Sequence, residues 1–188
     1  MSVSGAAKAL VRLSLQFGVM QRFITLDRLR ACLGVVCLWA WAALASVERG
    51  WVGVVTHVSD GDTVWIQPVH GGELHKVRLL GIDAPEICQT WGIQSREALH
   101  AVLQGQTVEV QGHHRDTYGR LLAHLSRQGH DVGAWMVAQG HAWSYSYQNF
   151  PGPYDALQMQ AQSQRRGLFA DPHALAPRWF RKRFGACP

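Results

Sequence analysis

Charged side chains are scarce in this chain of 188 residues, where Asp, Glu, Lys and Arg together make up 16%. With 47% hydrophobic content and no internal repeat or low-complexity tract, that scarcity excludes a compositionally disordered polypeptide. Cysteine is rare, at four, and no C-x-x-C pair occurs, so a zinc site has no support. The ten histidines are scattered, and neither His-x3-His nor His-Glu-x2-His spacing appears, which leaves them as solvated surface groups. A bilayer-spanning helix needs about 20 apolar residues, and the uncharged run at residues 31–45 has fifteen.

An excess of positive charge is also missing from most of the chain. The net charge of +5 divides unevenly. Residues 1–45 carry Lys8, Arg12, Arg22, Arg28 and Arg30 against Asp27, and the remainder is only +1. Bulk charge therefore says little about a polyanionic partner, and any such sign lies in local residues.

What is present begins with a leader. Arg28 and Arg30 precede the apolar run, and Ala43-Leu44-Ala45 supplies small residues at its end. That is the pattern of a secretory signal peptide cleaved after Ala45, with Met20 as a second candidate start. The expectation is a secreted or periplasmic protein with no stable membrane association after cleavage. An uncleaved, membrane-anchoring leader is the alternative. Cys88 and Cys187 lie beyond it, an even pair suited to a disulfide in an oxidising compartment, with two free thiols as the other reading. The bond would tie the basic and aromatic tail, residues 173–188, beside the Glu86 segment.

From Trp51 onward, short alternating runs are separated by turn chemistry. Val52, Val54 and Val58 share one parity, as a half-buried strand requires. Asp60-Gly61-Asp62 is a turn, followed by a strand through Val64 and Ile66. His70-Gly71-Gly72 is a hairpin signal before a third strand at residues 76–80. Residues 107–110 and 120–126 read as the fourth and fifth strands. Helices are expected over residues 95–103, 132–139 (capped by Asp131) and 154–166. Five strands with about three helices predict an α+β fold, a small closed barrel of the oligonucleotide-binding (OB) type with helices packed on it, spanning residues 46–172.

Three segments carry chemistry: Asp60-Gly61-Asp62-Thr63, the run from Arg78 to Glu86 (RLLGIDAPE), and Asp116-Thr117-Tyr118-Gly119-Arg120. Each alone is a turn or a surface ion pair. In this order they resemble the staphylococcal nuclease (thermonuclease) family over roughly residues 50–170. Gln139-Gly140 before an aromatic stretch and Arg166-Gly167-Leu168-Phe169 add to the likeness.

The resemblance implies a calcium-dependent (Ca2+) endonuclease that hydrolyses DNA, RNA or both and leaves 3′-phosphate ends. By position it implies metal ligands at Asp62, Asp83 and the backbone carbonyl of Ala84, where the family commonly has Thr. Catalytic roles fall on Arg78, Glu86 and Arg120, with Glu86 either the general base or the group that orients water. Tyr145 and Tyr147 lie where the family carries base-contacting tyrosines, and Tyr118 is a further candidate. Trp143 lies in the same stretch and reads first as a core residue, with base contact as its other reading.

The chemistry of these residue types agrees. Calcium takes hard oxygen ligands in irregular geometry. Arginine offers a planar fork, never deprotonated, to the charge that builds on phosphate oxygens. The tail run Arg178-Trp179-Phe180-Arg181-Lys182-Arg183-Phe184 has two readings, added phosphate contacts or aromatics packed on the barrel. A monomer is expected. The alternative function is a non-catalytic OB-type nucleic-acid-binding module.

Overall fold

Strand β1 (Trp51–Val58) pairs antiparallel with two neighbours, β2 (Thr63–Pro68) on one side and β5 (Thr107–Arg115) on the other. Strand β3 (His75–Leu79) continues the sheet from β2, and β6 (Leu121–Arg127) continues it from β5. The computed structural model describes residues 50–147, 150–185 and 187. The leader assigned to residues 1–45 lies outside them.

The sheet closes where β3 meets β6 in a parallel pairing, with Arg78 opposite Leu122 and Leu79 opposite Ala123. Closure leaves a five-stranded barrel of the OB type with no free edge between β3 and β6. It also brings Arg78 on β3 beside the start of β6, two residues after Arg120. The barrel topology thus delivers two arginines, distant in sequence, to one rim.

Inward side chains fill the barrel: Val55, Val64, Ile66, Val77, Leu79, Val108, Val110 and Leu125 are all buried. Each contributes roughly 1.5–3 kcal/mol by leaving water. Helix α1 (Gly92–Leu103) covers the barrel with a buried stripe of Ser95, Leu99 and Leu103 at a spacing of four, one face of the helix. Helix α2 (Val132–Ala138) adds Met136 and Val137 to the same core. Its start is fixed by Asp131, whose Oδ1 accepts the Ala134 N–H at 3.0 Å.

The expected parity of β1 is corrected. Val52 is exposed and Val54 half-buried, whereas Val55 and Val58 face the core. A β-bulge is the cause: Val55 pairs with Ile66 but His57 with Trp65, so Thr56 is an extra residue and the facing reverses. The fourth strand runs to Arg115, five residues past its expected end, and has a bulge of its own between Gly112 and His114. Two short strands, β4 (Ile82–Asp83) and β8 (Trp143–Ser144), pair with each other outside the barrel, and β7 (His130–Asp131) pairs antiparallel with the end of β6.

Helix α3 (Asp155–Ser163) and the 3-10 turn Gly167–Ala170 follow. Against the expected three or so helices, the described residues hold four. Residues read as tail form α4 (Pro177–Phe184), which has proline at its first turn, where the missing N–H is harmless. Among the described residues no helix is long and apolar enough to cross a membrane.

Candidate active site

The site grows from the turn between β1 and β2. Asp60 Oδ1 accepts the Asp62 N–H at 3.0 Å, which closes the turn locally. Gly61 is obligatory there, because a Cβ would collide with Ser95 Oγ and Ala84 Cβ. The turn aims Asp62 across to β3, and Thr63 Oγ1 donates to its Oδ1 at 2.9 Å.

Thr63 pairs with Arg78 in the β2–β3 ladder, so the arginine stands next to that carboxylate. Arg78 Nη1 lies 3.0 Å from Asp62 Oδ1 and 2.9 Å from Oδ2. Its Nη2 donates to Asp83 Oδ1 at 3.0 Å. Asp83 is delivered by β4, immediately after the Leu80-Gly81 turn. The next residue, Ala84, donates its N–H to Asp62 Oδ2 at 3.3 Å. Asp62 and Asp83 are therefore joined through one guanidinium, and both are buried, at 4% and 3% exposure.

Asp60, Asp62, Asp83 and Glu86 gather around two arginines, Arg78 and Arg181, so carboxylates outnumber cations and neighbouring groups register it. The Asp60 carboxyl is pushed up to about 7, first by burial and then by the Asp62 charge. Burial also raises Asp83, against a hydrogen bond from Arg181 that lowers it. For Arg78, burial acts downward, but the carboxylates of Asp62 and Asp83 outweigh it and its pKa is raised.

Glu86 and Arg120 open on the same groove, a space of about 610 Å³ lined by Arg78, Glu86, Tyr118, Arg120, Tyr145 and Arg181, among others. Arg120 is held by Asp116, with Nε at 2.8 Å and Nη2 at 2.7 Å from Oδ2. Asp116 Oδ1 accepts the N–H groups of Tyr118 and Arg120, each at 2.9 Å. Gly119, at φ +78°, provides the left-handed residue that this turn needs.

Tyr118 is 83% exposed, and the Arg120 guanidinium lies 5.4 Å from its ring centre. Tyr145 lines the groove, whereas Tyr147 does not, and it forms a bridge with Phe150 instead. Trp143 packs edge-on against Phe169 at 4.9 Å, the core placement.

Arg181 was not expected here. From α4 its Nη1 donates to Glu86 Oε1 at 2.7 Å and to Asp83 Oδ1 at 3.2 Å. Its Nη2 donates to Asp83 Oδ2 at 3.1 Å. A signal for this did exist: Cys88 and Cys187 are joined by a disulfide, and a bond between them carries the basic run to the Glu86 segment.

Among the described residues no three His, Cys, Asp or Glu side chains converge as a metal cage. The donor set suggested by the motifs never had three such side chains. It comprises Asp62 and Asp83 with a main-chain carbonyl at Ala84. These are hard oxygen donors in a region of surplus negative charge, and they fit a hard divalent cation.

Comparison with known proteins agrees with the motifs. The family model described as "Staphylococcal nuclease homologue" matches residues 76–171. An "Uncharacterized endonuclease" of Escherichia coli O157:H7 is 34% identical over 150 residues, 79% of this chain and 95% of that protein. A "Micrococcal nuclease" of Shigella flexneri is 34% identical over 161 residues, 78% of this chain and 86% of that protein. An "Uncharacterized endonuclease" of Haemophilus influenzae is 34% identical over 128 residues, 68% of this chain and 71% of that protein.

Proposed function

The chain belongs to the staphylococcal nuclease family and is an endonuclease by that membership, and from this premise we propose that it is a calcium-dependent phosphodiesterase leaving 3′-phosphate ends on DNA or RNA. One observation carries the reading. Two buried acids, Asp62 and Asp83, are locked on Arg78, while Glu86 and Arg120 open on the same groove.

Asp62, Asp83 and the Ala84 carbonyl would hold the ion. When bound, calcium would supply charge to polarise a phosphate oxygen and to order the attacking water. The remaining work falls to the chain's own side chains. Arg78 comes from β3 and Arg120 from the turn just before the paired β6, and they grip the phosphate from two sides as its oxygens gain charge. Asp116 holds the Arg120 fork in place beforehand, so little reorganisation accompanies the reaction.

Glu86, half-exposed on the groove, takes the proton from water as the new P–O bond forms. Breaking the bond to the 5′ oxygen, which takes its proton from solvent water, leaves the phosphate on the 3′ side and a 5′-hydroxyl. Tyr118 and Tyr145 present ring faces along the groove for stacking bases. The Cys88–Cys187 disulfide supports a place outside the reducing cytoplasm, in keeping with the leader.

The test is cleavage of single-stranded DNA by the purified protein with calcium and then with excess chelator. Products ending in 3′-phosphate, formed only with calcium, are expected. Binding without cleavage at any calcium concentration would replace this reading with a nucleic-acid-binding module.

A further inference from the structure

Helix α4 carries four cations, Arg178, Arg181, Lys182 and Arg183, and three of them rest on the helix's own aromatic rings. Arg178 and Lys182 lie 4.8 and 5.4 Å from the Trp179 ring centre, and Arg183 lies 5.2 Å from that of Phe184. Arg181 alone of the four turns into the site, where it contacts Asp83 and Glu86.

Asp83 already carries one cation, since Arg78 Nη2 bonds its Oδ1 at 3.0 Å, although Arg78 is shared with Asp62. With Arg181 added, Oδ1 accepts from two guanidinium groups and Oδ2 from one. Two lone pairs per oxygen leave Asp83 little capacity for another cation. The Arg181 side chain is 36% exposed, so it has a direct way out to solvent.

The helix is pinned to the Glu86 segment at both ends. Before it, Gln89 Nε2 donates to the Leu175 carbonyl at 2.6 Å. After it, Cys187 is bonded to Cys88, two residues past Glu86. A cation tethered so closely acts at a high effective concentration, which an untethered one would lack.

We propose that Arg181 is a tethered rival of the divalent ion for Asp83, and that the Cys88–Cys187 bond sets the strength of that rivalry. The inference rests on the reading that Asp62 and Asp83 hold the ion. In the resting protein Arg181 caps the carboxylates. Metal binding drives it toward solvent, and the disulfide keeps it near enough to return. The affinity for calcium is thus lower than the bare carboxylates would give.

Calcium titration by isothermal calorimetry tests this without recourse to activity. Arg181→Gln should bind calcium about tenfold more tightly than the unaltered protein, the scale of a lost intramolecular competitor. Arg181→Lys, which keeps the charge without the fork, should fall between them, as should the Cys88→Ser, Cys187→Ser double variant. Adding Arg181→Gln to the cysteine pair should give the affinity of Arg181→Gln alone. Equal or weaker calcium binding in both Arg181 variants, with circular dichroism showing them folded, overturns the inference and leaves the calcium reading intact. Absence of calcium binding in every protein, Arg181→Gln included, removes both.

Discussion

Arg78 donates from Nη1 to Asp62 across sixteen residues of sequence, and the ladder pairing of Thr63 with Arg78 is what makes the contact unavoidable. Removing the guanidinium strips the buried Asp62 of its cation and leaves Asp83 with Arg181 alone. Arg78→Ala should therefore destabilise the fold by about 3–5 kcal/mol, read from the denaturant midpoint. Arg78→Lys keeps a charge between the acids but loses the two-pronged geometry. It should fold with a smaller deficit and cleave on the order of 10²-fold more slowly. An Arg78→Lys enzyme with unaltered rate would exclude Arg78 from phosphate binding.

Asp116 acts on the reaction only through Arg120. Its carboxylate holds that side chain and two turn amides, and although burial acts upward, the Arg120 hydrogen bonds outweigh it and its pKa is lowered. Asp116→Asn should lower kcat roughly tenfold by letting the guanidinium wander. Calcium affinity should not move, because Asp116 bonds Arg120 and the Tyr118 amide and neither Asp62 nor Asp83. A change in calcium affinity equal to the change in rate would show a structural fault instead.

The residues of the candidate site were legible because their chemistry is local. Asp60-Gly61-Asp62 and Asp116-Thr117-Tyr118-Gly119-Arg120 are turns closed by hydrogen bonds of their own side chains, so each can be read from its own residues. The facing of Val52 and Val54 was not legible. It is set by a bulge, and a bulge exists only in register with a partner strand. Helix α4 was hidden for a related reason. Its polar sequence gives no apolar stripe of useful length, and what fixes it is the Cys88–Cys187 bond and the Gln89 contact with Leu175. Arg181 reaches Asp83 only once both are in place.

Tyr154 ties α3 to the start of α2, since its hydroxyl donates to Asp131 Oδ2 at 2.8 Å while Oδ1 of the same carboxylate caps the helix. Tyr154→Phe should cost about 1.5–3 kcal/mol, the range for a hydrogen bond to a charged group. Burial first, and Asp131 second, raise the hydroxyl above its ordinary value of 10.0. Above that pH the unfolded chain loses a proton that the native state keeps. Native stability should therefore fall as pH rises past 10, and the fall should be shallower in Tyr154→Phe. Parallel pH profiles in the two proteins would remove Tyr154 from the alkaline limb.

His141 departs from the expectation of solvated surface histidines and gives the opposite, acidic limb. Its ring lies 5.7 Å from that of Trp135 and 6.4 Å from that of Trp91, and its Nδ1 is buried without a hydrogen-bond partner among the described residues. Burial lowers its pKa below 6.5, so the fold holds the ring neutral. As pH falls below 6.5 the unfolded chain takes up a proton that the native state refuses, and stability drops. The slope from this group is at most about 1.4 kcal/mol per pH unit, and it ends at the native pKa. His141→Phe should retain the aromatic packing and abolish that share of the slope, measured as urea midpoints between neutral and acid pH. Because the ring touches none of Asp62, Asp83 or Glu86, calcium affinity at neutral pH should be unchanged. A slope that survives the substitution would assign the acid limb to the carboxylates instead.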